Sequence, residues 1–403
     1  MTSPLASHND TIRVTVSLGS LLSPATPFNK ILFIDTFANS SLAGFTETSI
    51  GSKSTKYVDI GALSEATAAN AATAGSVGTA LLADLTGVFS HSRAPTSVGV
   101  LSVDRADGGN GVDTYAAAIS ALVNADQNDW YCAVPVSHTL TDICDILAGV
   151  LAVTSESRPR VVFAQTSNSA AYGDSSAWTT ALVDSASAAP AESSLDRLAM
   201  FYAPDTYACA AGVASWGFAI DPDTASIDWR FPVPGISKIP LPSGVAATTF
   251  KHNLRGVPGT DLGNKINLAW PFGSSNVWLD PGVMQSGRAI YVTYAADWFQ
   301  ARLEGQLADL QLRYATQSPP AKIPLNGAGQ KTILGEIEAL YLRGVGTGAF
   351  LSRADALTQG TPVVLRAEPI TTEDRAVRRL RFTVSIPVLQ GTRVVNIAVT
   401  VTE

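Results

Sequence analysis

The sequence is poor in charged residues. Aspartate, glutamate, lysine and arginine make up 15% of its 403 residues, whereas about 25% is typical of a soluble domain. Hydrophobic residues reach 46% and the net charge is only −7, which together exclude a disordered chain. A chain with so little charge to cover its surface is expected to bury part of that surface against other chains.

Cysteine and histidine are also scarce. Cys132, Cys144 and Cys209 form no C-x-x-C pair, and their odd number argues against a disulfide framework and a zinc site. We expect the three thiols to be buried small hydrophobic groups, with cross-linking of neighbouring chains through an exposed Cys209 as the alternative. The four histidines are dispersed and form no metal-binding pair, so no metal site is predicted.

Signatures of nucleotide binding and nucleophilic catalysis are missing. The glycine cluster at 108–111 does not complete G-x-G-x-x-G, because Thr114 stands at the last position, and no P-loop occurs. Ser215 lacks the first glycine of a nucleophile elbow and is expected in a helix. The acidic segment 221–228 lacks the turn glycine of a calcium loop and is expected to be an acidic turn. We therefore expect neither an enzyme nor a cofactor site, with a Rossmann-like α/β enzyme as the alternative.

Long hydrophobic runs and a basic excess are absent as well. The longest apolar stretches, 208–220 and 289–299, are interrupted and fall short of the roughly 20 residues of a membrane-spanning helix. The first residues carry no basic group before an apolar run, so no secretion signal is expected. The acidic balance argues against a protein that grips nucleic acid.

Alternating strand and helix patterns fill the middle of the chain, which predicts an α/β layer with a parallel sheet. Apolar runs at 98–103, 130–136, 160–164 and 197–202 alternate with helical patterns at 115–123, 141–151, 178–185 and 208–218. Before them come apolar runs at 30–35 and 57–60 and one alanine-rich helical stretch at 64–88. After them come an irregular Pro/Gly-rich insert at 221–287, helices at 288–314 and 332–343, and strands at 379–388 and 392–402.

Both ends of the chain have the period-two pattern of β-branched residues that is typical of strands. Residues 11–18 alternate apolar and polar side chains and are followed by a Gly/Ser/Pro-containing connector. A strand on such a connector can pair far from the body of its own domain.

Charge is distributed unevenly along the sequence. Residues 1–300 carry a net charge of −10, whereas residues 301–403 carry +3. The basic residues concentrate beside the last strands, at Arg366, Arg375, Arg378, Arg379 and Arg381. This favours an acidic partner surface, with a solvated basic face as the alternative.

Several short motifs occur in a fixed order. They are F-S-H-S-R-A-P at 89–95, G-N-K-I-N at 263–267, the segment 287–304 with its Asp297-Trp298 pair, and K-I-P-L-N at 322–326, followed by a second helix and two closing strands. In this order of motifs the chain resembles contractile bacteriophage tail sheath proteins. The resemblance implies a Rossmann-like α/β middle domain, a C-terminal α+β sheath domain, and extended β-strand arms at both termini.

The resemblance divides the chain into six segments. They are the N-terminal β arm and linker (1–27), a leading α/β segment (28–95), the α/β domain (96–220), the Pro/Gly-rich insert (221–287), the C-terminal sheath domain facing the tube (288–391), and the C-terminal β arm (392–403).

The resemblance also implies a structural role in the virion, with assembly in the host cytoplasm. Subunits would stack as rings around an inner tail tube, and each would lend its two arms to neighbours by β-strand addition. Contraction would move subunits largely as rigid bodies about connectors containing Gly19 and Gly391, without a cofactor. Partners would be further copies of the chain, the tail tube protein, and baseplate and tail terminator proteins, with no nucleic acid and no membrane insertion. Another virion protein, of the baseplate or capsid, is the alternative.

Three sets of residues are implied to make these contacts. The arm strands would use Ile12, Val14, Val16, Leu18, Val394, Val395, Ile397, Val399 and Val401. The acceptor strand would use Leu380, Phe382, Val384 and Ile386. The tube-facing residues would be Arg302, Arg313, Lys331 and Arg343.

Overall fold

The structure is a computed structural model in which thirteen strands and eleven α-helices form among the described residues. It describes residues 11–17, 28–35, 48–49, 55–72, 78–90, 94–103, 114–127, 129–154, 158–185, 192–226, 229, 237–256, 263–272, 276–389 and 394–402. The strands are β1 (Thr11–Ser17), β2 (Ile31–Asp35), β3 (Thr48–Ser49), β4 (Lys56–Ile60), β5 (Val98–Ser102), β6 (Cys132–Pro135), β7 (Val161–Thr166), β8 (Leu198–Tyr202), β9 (Leu268–Phe272), β10 (Asn276–Asp280), β11 (Val364–Ala367), β12 (Arg379–Pro387) and β13 (Val394–Thr402). The helices are α1 (Leu63–Ala72), α2 (Thr79–Phe89), α3 (Tyr115–Asn124), α4 (Leu140–Val153), α5 (Ser175–Ser185), α6 (Cys209–Phe218), α7 (Ala247–Arg255), α8 (Ile290–Ala315), α9 (Gly327–Gly346), α10 (Arg353–Thr358) and α11 (Thr372–Ala376).

The largest layer is a seven-stranded sheet in the order β3-β4-β5-β2-β6-β7-β8. The five strands from β5 to β8 in this order run parallel, and β3 and β4 add an antiparallel edge. Every residue of β2, β5, β6, β7 and β8 is buried, as expected for parallel strands covered by helices on both faces. The predicted parallel sheet is confirmed, and β2 from the leading segment lies at its centre.

The parallel strands follow the order second, first, third, fourth, fifth, which is a doubly wound arrangement. Helices α3 to α5 pack together in one group, and α1, α2 and α6 in another. Gly149 lets α3 and α4 approach closely, because a Cβ there would lie 2.9 Å from the Cα of Ala116. The predicted single helix at 64–88 is two helices, α1 and α2.

The Pro/Gly-rich insert contains regular structure that the sequence pattern did not predict. It contributes α7 and the antiparallel β9–β10 hairpin. Asn267, just before β9, attaches this hairpin to the β8 edge: its N–H donates to Met200 O at 2.8 Å, and its O accepts from Tyr202 N at 3.0 Å. The Asn267 side chain also bonds Val283 N and O at 2.9 and 2.7 Å. The insert thus extends one edge of the large sheet.

The C-terminal part combines the long helices α8 and α9 with a four-stranded sheet in the order β1-β13-β12-β11. Helix α9 starts earlier than predicted because Asn326 caps it, accepting from Ala328 N at 2.9 Å and Gly329 N at 3.2 Å. No helix among the described residues combines the length and apolar character that crossing a membrane requires.

The thiols are buried, as expected. Cys132, Cys144 and Cys209 all lie in the interior, and burial raises the pKa of Cys209 to about 12. The alternative, cross-linking of neighbours through an exposed Cys209, is wrong, because Cys209 is buried and a buried, protonated thiol is unreactive. The glycine cluster at 108–111 lies outside the described residues.

Candidate assembly interface

Both ends of the chain meet in the four-stranded sheet. Strand β13 runs antiparallel to β12, with Val384 opposite Ile397, and β1 runs parallel to β13, with Ile12 opposite Ile397. Two of the four strands, β1 and β13, are therefore the terminal segments, and the other two, β11 and β12, come from the body of the chain. Backbone hydrogen bonds do not depend on which copy of the chain supplies the paired strand.

Strand β12 provides the buried face of this sheet. Leu380, Phe382, Val384 and Ile386 are each at most 5% exposed, and they alternate with half-buried positions along the strand. This pattern agrees with the acceptor residues named from the sequence, which stay a prediction as regards contacts with another copy. Leu18 of the N-terminal set lies outside the described residues.

Strand β12 is held at both ends by its own chain. At its start, Asp374 accepts from Arg379 Nε and Arg381 Nη2 at 2.8 Å each. Hydrogen bonds from Thr371, helped by these two arginines, hold the pKa of Asp374 well below its usual value. At its end, Leu351 N donates to Pro387 O at 3.0 Å. The acceptor strand is thus fixed by groups other than the terminal segments that pair beside it.

Helix α8 is anchored to the large sheet through Asp297. Asp297 is 2% exposed. Its carboxylate accepts a hydrogen bond from Tyr131 Oη at 2.7 Å and pairs with Arg197. Tyr131 immediately precedes β6 and Arg197 immediately precedes β8, so this contact fixes α8 to the amino ends of two strands. Burial, with the charge of Asp297 next in effect, raises the pKa of Tyr131 well above its usual value.

A second carboxylate, in the turn after α6, reaches residues of α8 and α9. Asp223, in the turn after α6, accepts from Trp298 Nε1 at 2.9 Å, from Arg302 Nε and Nη2 at 3.0 and 2.5 Å, and pairs with Arg343 at 3.0 Å. Burial would raise the pKa of Asp223, but the bonds from Arg302 and Trp298 outweigh it and lower that pKa. Adjacent residues of α8, Asp297 and Trp298, thus reach two separate clusters, which we call the Asp297 and Asp223 clamps.

The four residues named as tube-facing fall in different environments. Arg302 and Arg343 meet on Asp223, with side chains 18% and 46% exposed. Arg313, 61% exposed, pairs with Glu336 at 2.6 Å between α8 and α9. Lys331 is exposed on α9. Arg302 is therefore largely occupied within its own chain, whereas Arg313 and Lys331 lie at the surface.

Sequence reasoning missed the role of Asp223. The acidic turn was expected, and Asp221 O does accept from Thr224 N at 2.9 Å. Nothing in the local sequence indicated that this turn binds arginines 79 and 120 positions further along. The available signal for such a pairing was the presence of an acidic turn in a chain with few charged residues.

Four helix starts of the α/β layer, those of α3 to α6, are capped by side chains of the chain itself, whereas α2 begins after Gly78 without a side-chain cap. Doubly wound folds bind ligands at the carboxyl ends of their strands, with phosphates at helix N-termini. Here Gln165 Oε1 accepts from Cys209 N and Ala210 N at 2.8 and 3.3 Å at the start of α6. Thr114, Thr139 and Asp174 cap α3, α4 and α5 in the same way.

The structure places Ser215 in a helix and groups no metal ligands in the part of the chain that it describes. Ser215 lies in α6, where its Oγ donates to Val88 O at 3.0 Å, so its helical placement is confirmed. Within the same residues, no three histidine, cysteine, aspartate or glutamate side chains are grouped as metal ligands.

The chain has no match among protein-family models or curated proteins, but it does match solved structures. The helical sheath of the anti-feeding prophage in its contracted state is 13% identical, with 92% of this chain and 91% of that chain covered and a TM-score of 0.52. The sheath tail protein of Listeria innocua is 9% identical, with 94% and 96% covered and a TM-score of 0.54. Over most of its length, this chain has the fold of contractile tail sheath proteins.

Proposed function

We propose that this chain is the non-enzymatic structural subunit of a contractile sheath. It polymerises helically around an inner tail tube, and contraction drives the tube through a host envelope, for genome delivery if the source is a bacteriophage. The observation that carries the proposal is the four-stranded sheet made from both chain ends, in a chain with the fold of sheath proteins. The side-chain caps of α3 to α6 disfavour the alternative of a nucleotide-dependent enzyme.

In the polymer, the terminal strands pair with neighbouring copies instead of their own. Exchange of an identical element between copies conserves its hydrogen bonds and buried surface, so it is a low-cost route to assembly. The contacts of β12 support this exchange. Asp374 and Leu351, from the same chain, fix β12 in place, so it does not depend on the terminal strands. Each subunit then joins its neighbours through two connectors, 18–27 and 388–393.

The two clamps suit a subunit that moves as a rigid body. Asp297 ties α8 to the large sheet, and Asp223 ties the sheet layer to α8 and α9. Removing one partner of a buried ion pair costs about 3–5 kcal/mol, so the buried Asp297 clamp is expected to stay closed while subunits move. Contraction would use energy stored in the lattice, without a nucleotide or other cofactor.

The surface of α8 and α9 is proposed to face the tube. Residues 301–403 carry a net charge of +3 on an acidic chain. Arg313, Arg343 and Lys331 present basic groups on these helices, and their contact would be with acidic groups of the tube protein. Baseplate and terminator proteins would bind the two ends of the polymer.

Deletion of residues 1–18 tests the proposal. The full chain should form long striated tubes in negative-stain electron micrographs, and the truncated chain should remain a folded monomer, because it lacks one exchanged strand. Deletion of residues 1–8 is the matched control, since it leaves β1 intact and should preserve tubes.

Three results would contradict the proposal. Tubes from the chain lacking residues 1–18 would refute the role of the N-terminal strand. Discs or shells from the full chain would favour a baseplate or capsid protein. Reproducible thermal stabilisation by a nucleotide would favour the enzyme.

A further inference from the structure

A group of positive charges surrounds one tryptophan in the insert. The ammonium groups of Lys251, on α7, and Lys238 lie 4.2 and 5.7 Å from the ring centroid of Trp270, on β9. Ile239 N donates to Ala269 O at 3.2 Å, which holds the Lys238 segment alongside β9. Lys238, Lys251 and Trp270 form what we call the basic patch.

Within the described part of the chain, the two lysines of the basic patch lack a paired carboxylate. Among the described residues, Lys238 and Lys251 form no salt bridge, and the neighbouring Arg255 pairs with Asp280. Partial burial, followed by the charges of Arg255 and Lys238, lowers the pKa of Lys251. Placing like charges together costs free energy, and an anionic partner would remove that cost.

Carboxylates cluster at the amino ends of the parallel strands in the same sheet. Asp59, on β4, and Asp129 are 48% and 55% exposed and lie 2.9 and 2.8 Å from the single ammonium group of Lys30. Glu65, in the first turn of α1, is exposed nearby and accepts from Gly61 N at 2.9 Å. Asp59, Glu65 and Asp129 form what we call the acidic edge, with one lysine against three carboxylates.

The two surfaces cannot meet within one chain. The basic patch lies beyond the carboxyl end of β8, since Asn267 bridges Phe201 in parallel and β9 follows Asn267, whereas Lys30 and Asp129 lie just before the amino ends of β2 and β6. The two ends of a five-residue strand such as β8 are roughly 16 Å apart, at about 3.3 Å per residue. A contact between two different surfaces of identical copies is head-to-tail and propagates into a ring or helix.

We propose that the basic patch of one copy binds the acidic edge of the next copy. This inference rests on the proposed function, because it supplies a second contact within the same polymer. A polyanion is the alternative occupant, and a second copy is favoured because the chain itself carries the complementary carboxylates of the acidic edge.

Charge reversal in the full-length chain tests the contact by sedimentation velocity at low and high salt. Lys238→Glu with Lys251→Glu should weaken salt-sensitive self-association by about tenfold or more. The control, Lys322→Glu with Arg353→Glu, makes the same charge change at exposed positions elsewhere and should behave like the original chain. Thermal unfolding verifies that each variant is folded.

A mixing experiment identifies the partner surface. Glu65→Lys with Asp129→Lys should also weaken self-association alone, and mixing it with the Lys238/Lys251 variant should restore association. Patch reversal without effect, or folded variants that do not restore each other, would overturn the proposal. Retention on sulfated dextran that depends on the patch, without an effect on self-association, would overturn it in favour of a polyanion.

Micrographs of the same samples separate this inference from the proposed function. Tubes from the original chain with patch-independent association would leave the sheath function standing and refute the contact. Patch-dependent association without tubes would support the contact and refute the sheath function.

Discussion

Asp84 is a buried carboxyl group without a positive partner among the described residues. It lies on α2 and is 5% exposed. Asp35, at the carboxyl end of β2, interacts with it electrostatically. Burial, with the negative charge of Asp35 next in effect, raises the pKa of Asp84 well above its usual value. The folded chain therefore keeps a proton on Asp84 at pH values where the unfolded chain has released it.

Replacement of Asp84 by asparagine should change the pH dependence of stability. Above about pH 4, where an unfolded aspartate loses its proton, the folded chain binds more protons than the unfolded one, so the free energy of unfolding falls as pH rises. Asp84→Asn removes this loss and should become progressively more stable than the original chain as pH rises above about 4. Urea unfolding at a series of pH values measures the difference.

Asp309→Asn is the matched control, since Asp309 is exposed on α8. It should leave the stability difference near zero at every pH. A difference for Asp84→Asn that stays constant with pH would show that Asp84 is charged in the folded chain.

At the scale of single residues, burial was predictable and pairing was not. The three thiols and Ser215 were placed correctly because composition and helical pattern are local properties. Tyr131 and Asp297 are 166 positions apart, so no spacing rule connects them. Their contact exists because α8 packs across the amino ends of the parallel strands.

At the scale of elements, two glycines of α9 differ sharply in their surroundings. A Cβ on Gly344 would lie 2.2 Å from Phe350 Cδ2 and 3.2 Å from Trp298 Cζ3, whereas a Cβ on Gly335 would meet nothing within 4 Å. Gly344 therefore permits close packing of the aromatic cluster beneath α9, and Gly335 is simply a poor helix former.

Alanine at these two positions should have opposite effects on stability. Gly344→Ala should lower the free energy of unfolding by about 1–3 kcal/mol, because it overfills a packed core. Gly335→Ala should raise it by about 0.5–1 kcal/mol, because alanine reduces the backbone entropy lost on helix formation. Chemical denaturation of the two variants measures both, and each serves as control for the other. Changes of the same sign in the free energy of unfolding of the two variants would contradict the packing described around Phe350.

Elements with strong periodicity were predicted well, and those that depend on a distant partner were not. The alternation from residue 98 to 218 was read correctly because each apolar run is fully buried. The β9–β10 hairpin was missed because Pro271 and the short apolar runs around it favour a loop. It forms because Asn267 finds free backbone groups on the edge strand β8, which only the tertiary fold brings there.

At the scale of the whole molecule, one chain supplies all the strands of its four-stranded sheet. Strand β13 follows β12 after a connector of residues 388–393 and pairs beside it along its length. The same pairing supplied by another copy would leave every backbone bond intact. The period-two pattern of both ends predicted strands, but it could not distinguish pairing within the chain from pairing between chains, because both use the same hydrogen bonds.

A disulfide across β12 and β13 separates these two arrangements. Ser385 and Asn396 lie directly opposite in the antiparallel register, where Cβ atoms are about 4.5–5.5 Å apart. Ser385→Cys with Asn396→Cys, oxidised as a dilute monomer, should lock β13 onto its own chain and prevent tubes until a reductant is added. The three natural cysteines are buried, so the engineered pair is the one expected to react.

The expected result depends on whether oxidation precedes or follows assembly. When the same variant assembles under reducing conditions and is oxidised afterwards, exchanged strands should yield a ladder of covalently linked chains on a non-reducing gel. Ser385→Cys alone should assemble normally under either condition and show no ladder. Tubes from the pre-oxidised variant at the normal rate, or oxidised tubes that release only monomer, would show that β13 stays with its own chain and that the sheath is joined by other surfaces.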